Sequence, residues 1–311
     1  MMLLSDKAFQ GLKRYHDVVD DFSALVAAAQ RPLPRTMWLR PDGPDLGAIL
    51  EMTNWPEKAF SPLSWRQQAY RVSPEINLGG SLPYVLGHLH IQEEVSMMPP
   101  ELLAPKPGER ILDMCAAPGN KTAQMALMMQ NTGTIIANDR APLRLTSLRS
   151  TLSRLGICNV TTSVSDGLLL KAEPNTFDRV LCDVPCSCEA TIRKNPKVME
   201  HSLQDYTFLA GGLQVGLLRK AVELCRPGGT IVYATCTFRP EENEAVVHAV
   251  LTDGNIELAP ISLPGFKASH GLTSWGPMEF ASELMMTRRI WPHQNDSGGF
   301  YLAKLRKKGS H

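Results

Sequence analysis

Residues 110–140, RILDMCAAPGNKTAQMALMMQNTGTIIANDR, decide the fold. Residues 110–116 form an apolar run of strand length, residues 120–130 carry apolar side chains at helical spacing, and residues 133–139 form a second strand-like run. A strand, a helix and a strand in this order predict a βαβ crossover, in which the two strands are parallel.

The same alternation continues along the chain to residue 251. Further strands are predicted over residues 159–166, 177–185 and 229–236, and further helices over residues 141–156, 203–225 and 240–251. Repeated crossovers predict a parallel sheet covered by helices on both faces. We therefore expect a doubly wound α/β domain.

The first 80 residues follow a different pattern. A leading helix is predicted over residues 7–29, followed by a strand, a helix and a strand over residues 36–40, 44–52 and 68–72. We expect two domains: a leading helix with a small α+β module over residues 1–80, and the larger α/β domain over residues 81–311.

Composition limits the class of protein. A chain of 311 residues with 43% hydrophobic residues can bury a core without disulfides or a structural metal. The seven cysteines are an odd number, and the chain shows neither a signal-peptide core nor a run of about 18 apolar residues. These features predict a cytoplasmic protein with reduced thiols that does not enter a membrane. The net charge of +1 excludes a polybasic protein, so a nucleic-acid partner has to be inferred from a site.

Acids and thiols recur at the ends of the predicted strands. They are Asp113, Cys115, Asp139, Asp166, Asp183, Cys186 and Cys236. In a doubly wound sheet, ligands bind outside the carboxyl ends of the strands. We therefore expect these side chains to surround a ligand site.

The turn after the first strand of this domain, LDMCAAPGNKT (residues 112–122), favours an anionic or electron-rich group at the start of the next helix. It matches neither the phosphate-loop pattern nor GxGxxG. Asp139 stands about 20 residues beyond Gly119, where an acid binds ribose hydroxyls in such folds. A nucleoside-containing cofactor accounts for these features, although Asp139 could instead cap a helix and Asp166 could be a turn residue.

Three cysteines lie within seven positions in LCDVPCSCEATIRKNP (residues 181–196). Cys182, Cys186 and Cys188 could supply three zinc ligands, but no second C-x-x-C or matched histidine pair completes a zinc motif. A thioredoxin-like redox role would require C-x-x-C. We therefore expect no metal site, and Cys182 is expected in the strand's core.

Six blocks resemble, in order, those of the NSUN-type (Nop/Sun) RNA cytosine-5 methyltransferases. They are QEEVSMMPPELLAPKPGERILD, LDMCAAPGNKTAQ, ANDRAPLRLTSLRSTLSRLG, DVPCSCEATIRKNP, RPGGTIVYATCTFRPEENEAVV and GGFYLAKLRK. The resemblance covers about residues 88–307 and is weaker over the first 80 residues. It implies a Rossmann-like methyltransferase domain that uses S-adenosylmethionine.

The resemblance also implies catalytic roles. Cys236 would be the nucleophile that adds to carbon 6 of cytosine, because carbon 5 is otherwise a poor nucleophile and a thiolate adds reversibly. Asp183 would hydrogen-bond the amino edge and N3 of the base. Cys186 would act in product release, and Lys121 would reach the target base.

The implied cofactor contacts lie on the first three strand ends of the domain. Asp139 would hold the ribose, Asp166 would face the adenine amino group, and Arg144 would lie nearby. The segment that would wrap the amino-acid end consists of Cys115, Ala116, Ala117, Pro118, Gly119, Asn120 and Lys121. Asp183 would border this cofactor site.

The chain departs from the family pattern PCSGxGxxRKxP at two positions. Cys188 and Ala190 stand where the family has glycine. A side chain at position 188 would narrow the pocket or require another loop path, since glycine there could have a positive φ. The departure therefore bears on the role of Cys186, which stands two positions away, more than on that of Cys236.

The implied partner is RNA, either tRNA or rRNA, with the compact chain favouring tRNA and a monomer expected. The first 80 residues would help to bind RNA, and the target cytosine would have to be unstacked. Phosphate contacts are predicted for Arg193, Lys194, Lys197, Arg288, Arg289, Lys304, Arg306 and Lys307. The alternative is a catalytically silent RNA-binding or assembly protein that retains the fold, but such a protein has no need of two strand-end thiols.

Overall fold

The computed structural model describes residues 4–200 and 203–309, with the side chains of residues 203–211 excepted. Its strands are β1 (Arg35–Leu39), β2 (Phe60–Pro62), β3 (Ala69–Val72), β4 (Leu89–Ile91), β5 (Arg110–Asp113), β6 (Thr134–Asn138), β7 (Val160–Ser163), β8 (Phe177–Asp183), β9 (Cys225–Thr235), β10 (Ile256–Ala259), β11 (Ser269–His270), β12 (Ser274–Trp275), β13 (Met278–Glu279), β14 (Arg288–Ile290) and β15 (Phe300–Lys307). Its helices are α1 (Asp6–Lys13), α2 (Phe22–Ala29), α3 (Leu46–Thr53), α4 (Leu82–Val85), α5 (Met98–Leu103), α6 (Asn120–Met128), α7 (Pro142–Arg154), α8 (Leu203–Leu224), α9 (Glu244–Leu251) and α10 (Pro292–Asn295).

The large sheet has the strand order β11-β14-β15-β9-β8-β5-β6-β7, with β10 paired to β15. The five strands from β9 to β7 are parallel, so the predicted doubly wound α/β fold is confirmed. Strands β15, β14, β10 and β11 extend the sheet in antiparallel pairings that the sequence analysis did not anticipate. The strand order reverses at β5, which lies between β6 and β8.

Both faces of the parallel strands are buried, because successive side chains point to opposite faces of a strand. On β5, Leu112 packs in the cluster that contains Leu218 of α8 and Val247 of α9. Its neighbour Ile111 packs in the other cluster, with Met125 of α6. The predicted helical cover on both faces is therefore present.

The predicted helix over residues 7–29 is wrong in one respect, because the chain forms two helices there. α1 ends at Lys13, and α2 begins after Asp21, whose side chain accepts a hydrogen bond from the backbone N of Ala24 at 2.9 Å. Aspartate is a strong N-cap, so it favours a new helix start over a continuous helix. α1 and α2 pack against the loop after β8 and against α10, with Leu12 and Leu25 buried beside Ile192.

The small module is an antiparallel sheet with the order β2-β3-β1-β4. The sequence predicted β1, α3 and β3 but missed β2 and β4. β4 pairs with β1 through Met37 and Ile91, so this sheet continues beyond residue 80. Its last strand leads directly into the segment that precedes β5.

Candidate active site

The parallel strands bring acids and thiols to one edge of the large sheet. Asp113 and Asp183 end β5 and β8, while Asp139 and Cys236 immediately follow β6 and β9. β5 and β8 are neighbours where the strand order reverses, and a crevice forms at such a point in doubly wound sheets. Two cavities lie at this edge, and seven of the predicted site residues line one or the other, whereas Cys186 and residues 116–120 line neither.

The first cavity, which we name the aspartate cavity, measures about 90 Å³, and its walls include Cys115, Asn138, Asp139, Arg144 and Asp166. All but Asn138 are predicted cofactor residues. The side-chain amide of Asn138 donates to the backbone O of Met114 and Ser165 at 3.1 and 3.0 Å. Its buried Oδ1 has no hydrogen-bond partner within the described part of the chain, and an N–H or O–H donor on a ligand would satisfy it.

Asp139 is buried and ties the turn after β5 to the end of β6. Its Oδ2 lies 3.2 Å from Nη1 of Arg144 and accepts a hydrogen bond from the backbone N of Ala117, while its Oδ1 accepts from Ala141 N at 2.9 Å. The N-cap of α7 is Ala141, which makes no side-chain cap. The alternative that Asp139 caps this helix is therefore wrong.

Asp166 lies beyond the end of β7 at Ser163, so the strand predicted to continue to residue 166 is too long. Its Oδ1 accepts a hydrogen bond from Leu168 N at 2.9 Å in a short 3₁₀ turn. Asp166 is thus a turn residue, as the alternative required, and its exposed carboxylate also lines the aspartate cavity.

Gly119 shapes the turn between β5 and α6. Its φ of 105° lies in the left-handed region that favours glycine. A Cβ at this position would lie 2.9 Å from the Cα of Leu148 on α7. The next residue, Asn120, begins α6 and contacts buried His90 of β4, with Oδ1 and Nε2 3.1 Å apart. Glycine therefore lets α6 and α7 approach closely beside the turn.

The second cavity, which we name the thiol cavity, measures about 180 Å³, and its walls include Lys121, Asp183, Lys194, Cys236 and Phe300. Nζ of Lys121 lies 2.7 Å from Oδ2 of Asp183 and 5.5 Å from the ring centroid of Phe300. Burial, the largest single cause, lowers the pKa of Lys121, but Asp183 and other nearby acidic groups together outweigh it, and the net shift of this pKa is upward. Lys121 is therefore a cation at the wall of this cavity.

Three thiols meet beside the thiol cavity. Sγ of Cys186 lies 3.4 Å from Sγ of Cys236, and the Sγ atoms of Cys186, Cys188 and Cys236 all lie within 4.8 Å of one another. Hydrogen bonds from Cys186 and Cys236 lower the pKa of Cys188, and the hydrogen bond with Cys188 is the largest of the causes that raise the pKa of Cys186. The three thiols are therefore close enough to shift one another's pKa values.

Cys188 has the backbone conformation that its family position suggested. Its φ is 60°, a left-handed value that costs a non-glycine residue about 1–3 kcal/mol. Its Sγ lies 3.3 Å from the backbone O of Cys186. Cys188 therefore adopts a positive φ where the family pattern has glycine, and its sulfur lies near those of the other two thiols.

Polar contacts that the sequence analysis missed fix this loop to the end of β9. Ser187 donates its backbone N–H to Oε2 of Glu242 at 2.9 Å, and its hydroxyl lies 2.7 Å from that of Thr237. Ala190 donates to the backbone O of Cys236 at 3.0 Å. These three bonds hold Cys186 and Cys188 next to Cys236.

A buried polar cluster supports the loop from the other side. Glu189 accepts hydrogen bonds from the hydroxyl of Tyr15 and from Nε of Arg239, and the latter bond measures 2.5 Å. Burial raises the pKa of Glu189, against the lowering effect of Arg239. The segment after α1 thus contributes directly to the position of the loop.

Two of the predicted phosphate contacts are wrong. The guanidinium of Arg193 is buried and donates to the backbone O of Pro32 and Ser297, and Arg289 forms a buried ion pair with Glu244. Lys194, by contrast, is exposed and lines the thiol cavity.

The three cysteines that could bind zinc differ from those considered in the sequence. The third thiol beside Cys186 and Cys188 is that of Cys236 rather than that of Cys182.

Residues 100–306 match the family described as 16S rRNA methyltransferase RsmB/F. The chain belongs to this family. The predicted membership in the Nop/Sun methyltransferases is confirmed, and with it the prediction that the chain is an enzyme. The match begins in α5 and covers the strands of the large sheet up to the penultimate residue of β15.

Individual relatives of this RsmB/F protein match nearly its whole chain. The chain is 39% identical to a tRNA (cytosine(49)-C(5))-methyltransferase of Pyrococcus abyssi, over 95% of each protein. It is 33% identical to the ribosomal RNA small subunit methyltransferase F of Erwinia tasmaniensis, over 94% of this chain but 61% of that relative. A crystal structure of a methyltransferase homolog from Pyrococcus horikoshii superposes with a TM-score of 0.82 at 31% identity, over 98% of this chain and 100% of the other.

No helix among the described residues of this RsmB/F protein has both the length and the apolar character needed to cross a membrane.

Proposed function

We propose that this RsmB/F protein transfers a methyl group from S-adenosylmethionine to carbon 5 of a cytosine in RNA, through a covalent adduct between Cys236 and carbon 6. The observation that carries the proposal is the placement of Cys186 and Cys236, with their Sγ atoms 3.4 Å apart, beside the Lys121–Asp183 pair. The names of its relatives as cytosine-C5 methyltransferases support it.

The aspartate cavity fits the cofactor. Its two acids, Asp139 and Asp166, suit the hydroxyl and amino donors of a nucleoside, and the free Oδ1 of Asn138 offers a further acceptor. We assign the ribose to Asp139, the adenine amino group to Asp166, and the amino-acid end to the turn from Cys115 to Lys121. When bound, S-adenosylmethionine supplies an electrophilic methyl group.

The thiol cavity holds the catalytic groups in this proposal. The thiolate of Cys236 forms a bond to carbon 6, which places electron density on carbon 5 and makes it nucleophilic. The carboxylate of Asp183 accepts a hydrogen bond from the amino group of the base and another from N3 once N3 takes up a proton as the thiolate adds to carbon 6, and Lys121 keeps that carboxylate in place.

The adduct is resolved after the methyl group has been transferred. The proton on carbon 5 leaves to a base, the electron pair re-forms the double bond, and the sulfur of Cys236 is expelled as a thiolate. We assign this release step to Cys186, which contacts Cys236 directly.

The substrate class we favour is tRNA. The chain and the Pyrococcus abyssi tRNA enzyme cover 95% of each other, whereas the chain spans only 61% of the Erwinia rRNA enzyme. A compact enzyme suits a small structured RNA. Bisulfite sequencing of RNA from cells with and without the gene identifies the RNA and the cytosine, and a modified position confined to rRNA would overturn this choice.

Two variants test the mechanism with radiolabelled S-adenosylmethionine and total RNA. Cys236→Ser should bind the cofactor yet transfer no methyl group, and Cys186→Ala should accumulate an RNA adduct that survives denaturation. Full activity of Cys236→Ser would show that Cys186, rather than Cys236, is the nucleophile. Absence of label in the wild-type protein while the cofactor binds would favour the silent RNA-binding alternative.

A further inference from the structure

The cluster of Cys186, Cys188 and Cys236 contains one thiol more than the proposed reaction uses. Cys186 and Cys188 form a C-x-C pair in the loop after β8, and Cys236 follows β9. The reaction assigns no role to Cys188. Its sulfur nevertheless lies within 4.8 Å of the other two, at a position where the backbone has a left-handed φ of 60°.

The spacing of the three sulfur atoms suits one metal ion. Tetrahedral zinc binds thiolates at about 2.3 Å, which places two bound sulfur atoms about 3.8 Å apart. Here the Cys186–Cys236 sulfur distance is 3.4 Å, and all three sulfur atoms lie within 4.8 Å of one another. Shifts of an ångström or less would therefore bring them into coordination distance.

The surrounding structure holds the ligands in place and leaves a path to them. The bonds from Ser187 to Glu242 and Thr237, and from Ala190 to the backbone of Cys236, fix the loop to the end of β9. Cys186 is buried, but Cys188 and Cys236 are partly exposed, and Cys236 lines the thiol cavity. A fourth coordination position could thus be filled by water from that cavity.

We propose that Cys186, Cys188 and Cys236 form a three-thiolate binding site for Zn²⁺. On binding, each of the three thiols that still carries a proton releases it to solvent, three zinc–sulfur bonds form, and no group is oxidised or reduced. The bound Zn²⁺ coordinates the sulfur of Cys236, so the zinc-bound protein cannot form the adduct with cytosine. This last consequence, unlike the binding itself, rests on the proposed role of Cys236. Zinc would then act as a reversible inhibitor that a chelator removes.

The binding test uses the full-length reduced protein, without RNA or S-adenosylmethionine. Co²⁺ is titrated as a spectroscopic stand-in, since each thiolate adds to the sulfur-to-cobalt charge-transfer absorption, and Zn²⁺ is then titrated to displace it. The wild-type protein should bind one Co²⁺ with three thiolates. Cys188→Ser should lose one thiolate from the spectrum. Its affinity for Zn²⁺ should fall by more than about 100-fold, the upper end of the loss caused by removing a hydrogen-bond partner of a ligand rather than the ligand itself.

Two further variants make the result decisive. Cys158→Ser removes an exposed thiol outside the cluster and should bind like the wild type. Cys188→Gly should match Cys188→Ser in its loss of affinity, and it keeps a residue suited to the positive φ, so misfolding cannot explain the loss. Equal affinity and equal spectra in the wild type and both Cys188 variants would overturn the site, as would the absence of stoichiometric binding in the wild type.

Methylation assays separate this proposal from the proposed function. Inhibition by Zn²⁺ that EDTA reverses, and that weakens in Cys188→Ser, supports both. A protein that binds Zn²⁺ as described but never methylates RNA would refute the proposed function alone. An active enzyme without three-thiolate binding would refute the metal site alone.

Discussion

Lys121 and Asp183 form an ion pair, 2.7 Å from Nζ to Oδ2, at the wall of the thiol cavity. The two residues belong to different elements: Lys121 lies in the first turn of α6, and Asp183 is the last residue of β8. Only 15% and 24% of their side chains are exposed, so the pair lies in surroundings where its charges are weakly screened. The pair therefore fixes a carboxylate beside Cys236.

Asp183→Asn should lower kcat by about 10²–10⁴-fold, because the amide cannot replace the carboxylate in proton transfer or charge stabilisation. Single-turnover methylation measures the effect, with binding of RNA and S-adenosylmethionine measured separately. Asp178→Asn is the matched control, since Asp178 lies on the same strand and pairs with Arg226 away from the cavity. A change of less than tenfold for Asp183→Asn would exclude the proposed role.

Gly119→Ala should destabilise the fold by about 1–3 kcal/mol, because φ is positive there and the new Cβ would meet the Cα of Leu148 at 2.9 Å. It should also weaken binding of S-adenosylmethionine, since the turn would have to move. Gly108→Ala is the control, because φ is 82° there and no atom of the described residues outside its immediate chain neighbours lies within 4 Å of the added Cβ. Urea unfolding and calorimetry measure the two effects, and equal results for both variants would contradict a special packing role for Gly119.

The sequence predicted the residues of the candidate site better than it predicted the residues that hold them in place. The residues at strand ends could be located because parallel strands present their carboxyl ends at one edge, which brought Asp139, Asp183 and Cys236 together. The contact between Tyr15 and Glu189 joins residues 174 positions apart, and no local pattern encodes it. The burial of Arg193 could not be predicted either, because the sequence around a charged residue does not indicate which backbone carbonyl groups will accept its hydrogen bonds.

Lys194→Ala should weaken RNA binding and reduce the slope of log affinity against log salt by about 1, because Lys194 is exposed at the thiol cavity. Lys106→Ala is the comparison, as Lys106 is exposed near the start of β5, at the opposite edge of the sheet. Binding titrations at several salt concentrations provide the slopes. An unchanged slope for Lys194→Ala would show that this lysine contacts no phosphate.

Tyr15→Phe should destabilise the protein by about 1.5–3 kcal/mol, the usual range for a hydrogen bond to a charged group. The lost hydroxyl leaves the buried carboxylate of Glu189 with one donor fewer. A double-mutant cycle with Glu189→Gln isolates the coupling between the two side chains. Additive effects in urea unfolding would mean that the hydroxyl and the carboxylate do not interact.

Asp113 should make the protein less stable as pH rises from about 4 to 7. Burial, the largest cause, raises its pKa to about 7, partly opposed by a hydrogen bond from Thr122, whose Oγ1 lies 2.7 Å from Oδ2. In the unfolded chain the same carboxyl group ionises near pH 4. Between these values the folded state binds one proton more than the unfolded state, so the free energy of unfolding falls with pH.

Asp113→Asn removes this titration and provides the measurement. Asparagine keeps a side-chain oxygen that can accept the hydrogen bond from the Thr122 hydroxyl. The variant therefore tests the ionisation of Asp113 rather than its hydrogen bond with Thr122. Urea unfolding at several pH values should show the wild type losing stability faster than Asp113→Asn, by up to about 1.4 kcal/mol per pH unit. Because the wild type loses this contribution as Asp113 ionises in the folded state, the stability of the variant relative to the wild type should be greatest above pH 7. Parallel pH profiles for the two proteins would show that Asp113 ionises at its ordinary pKa.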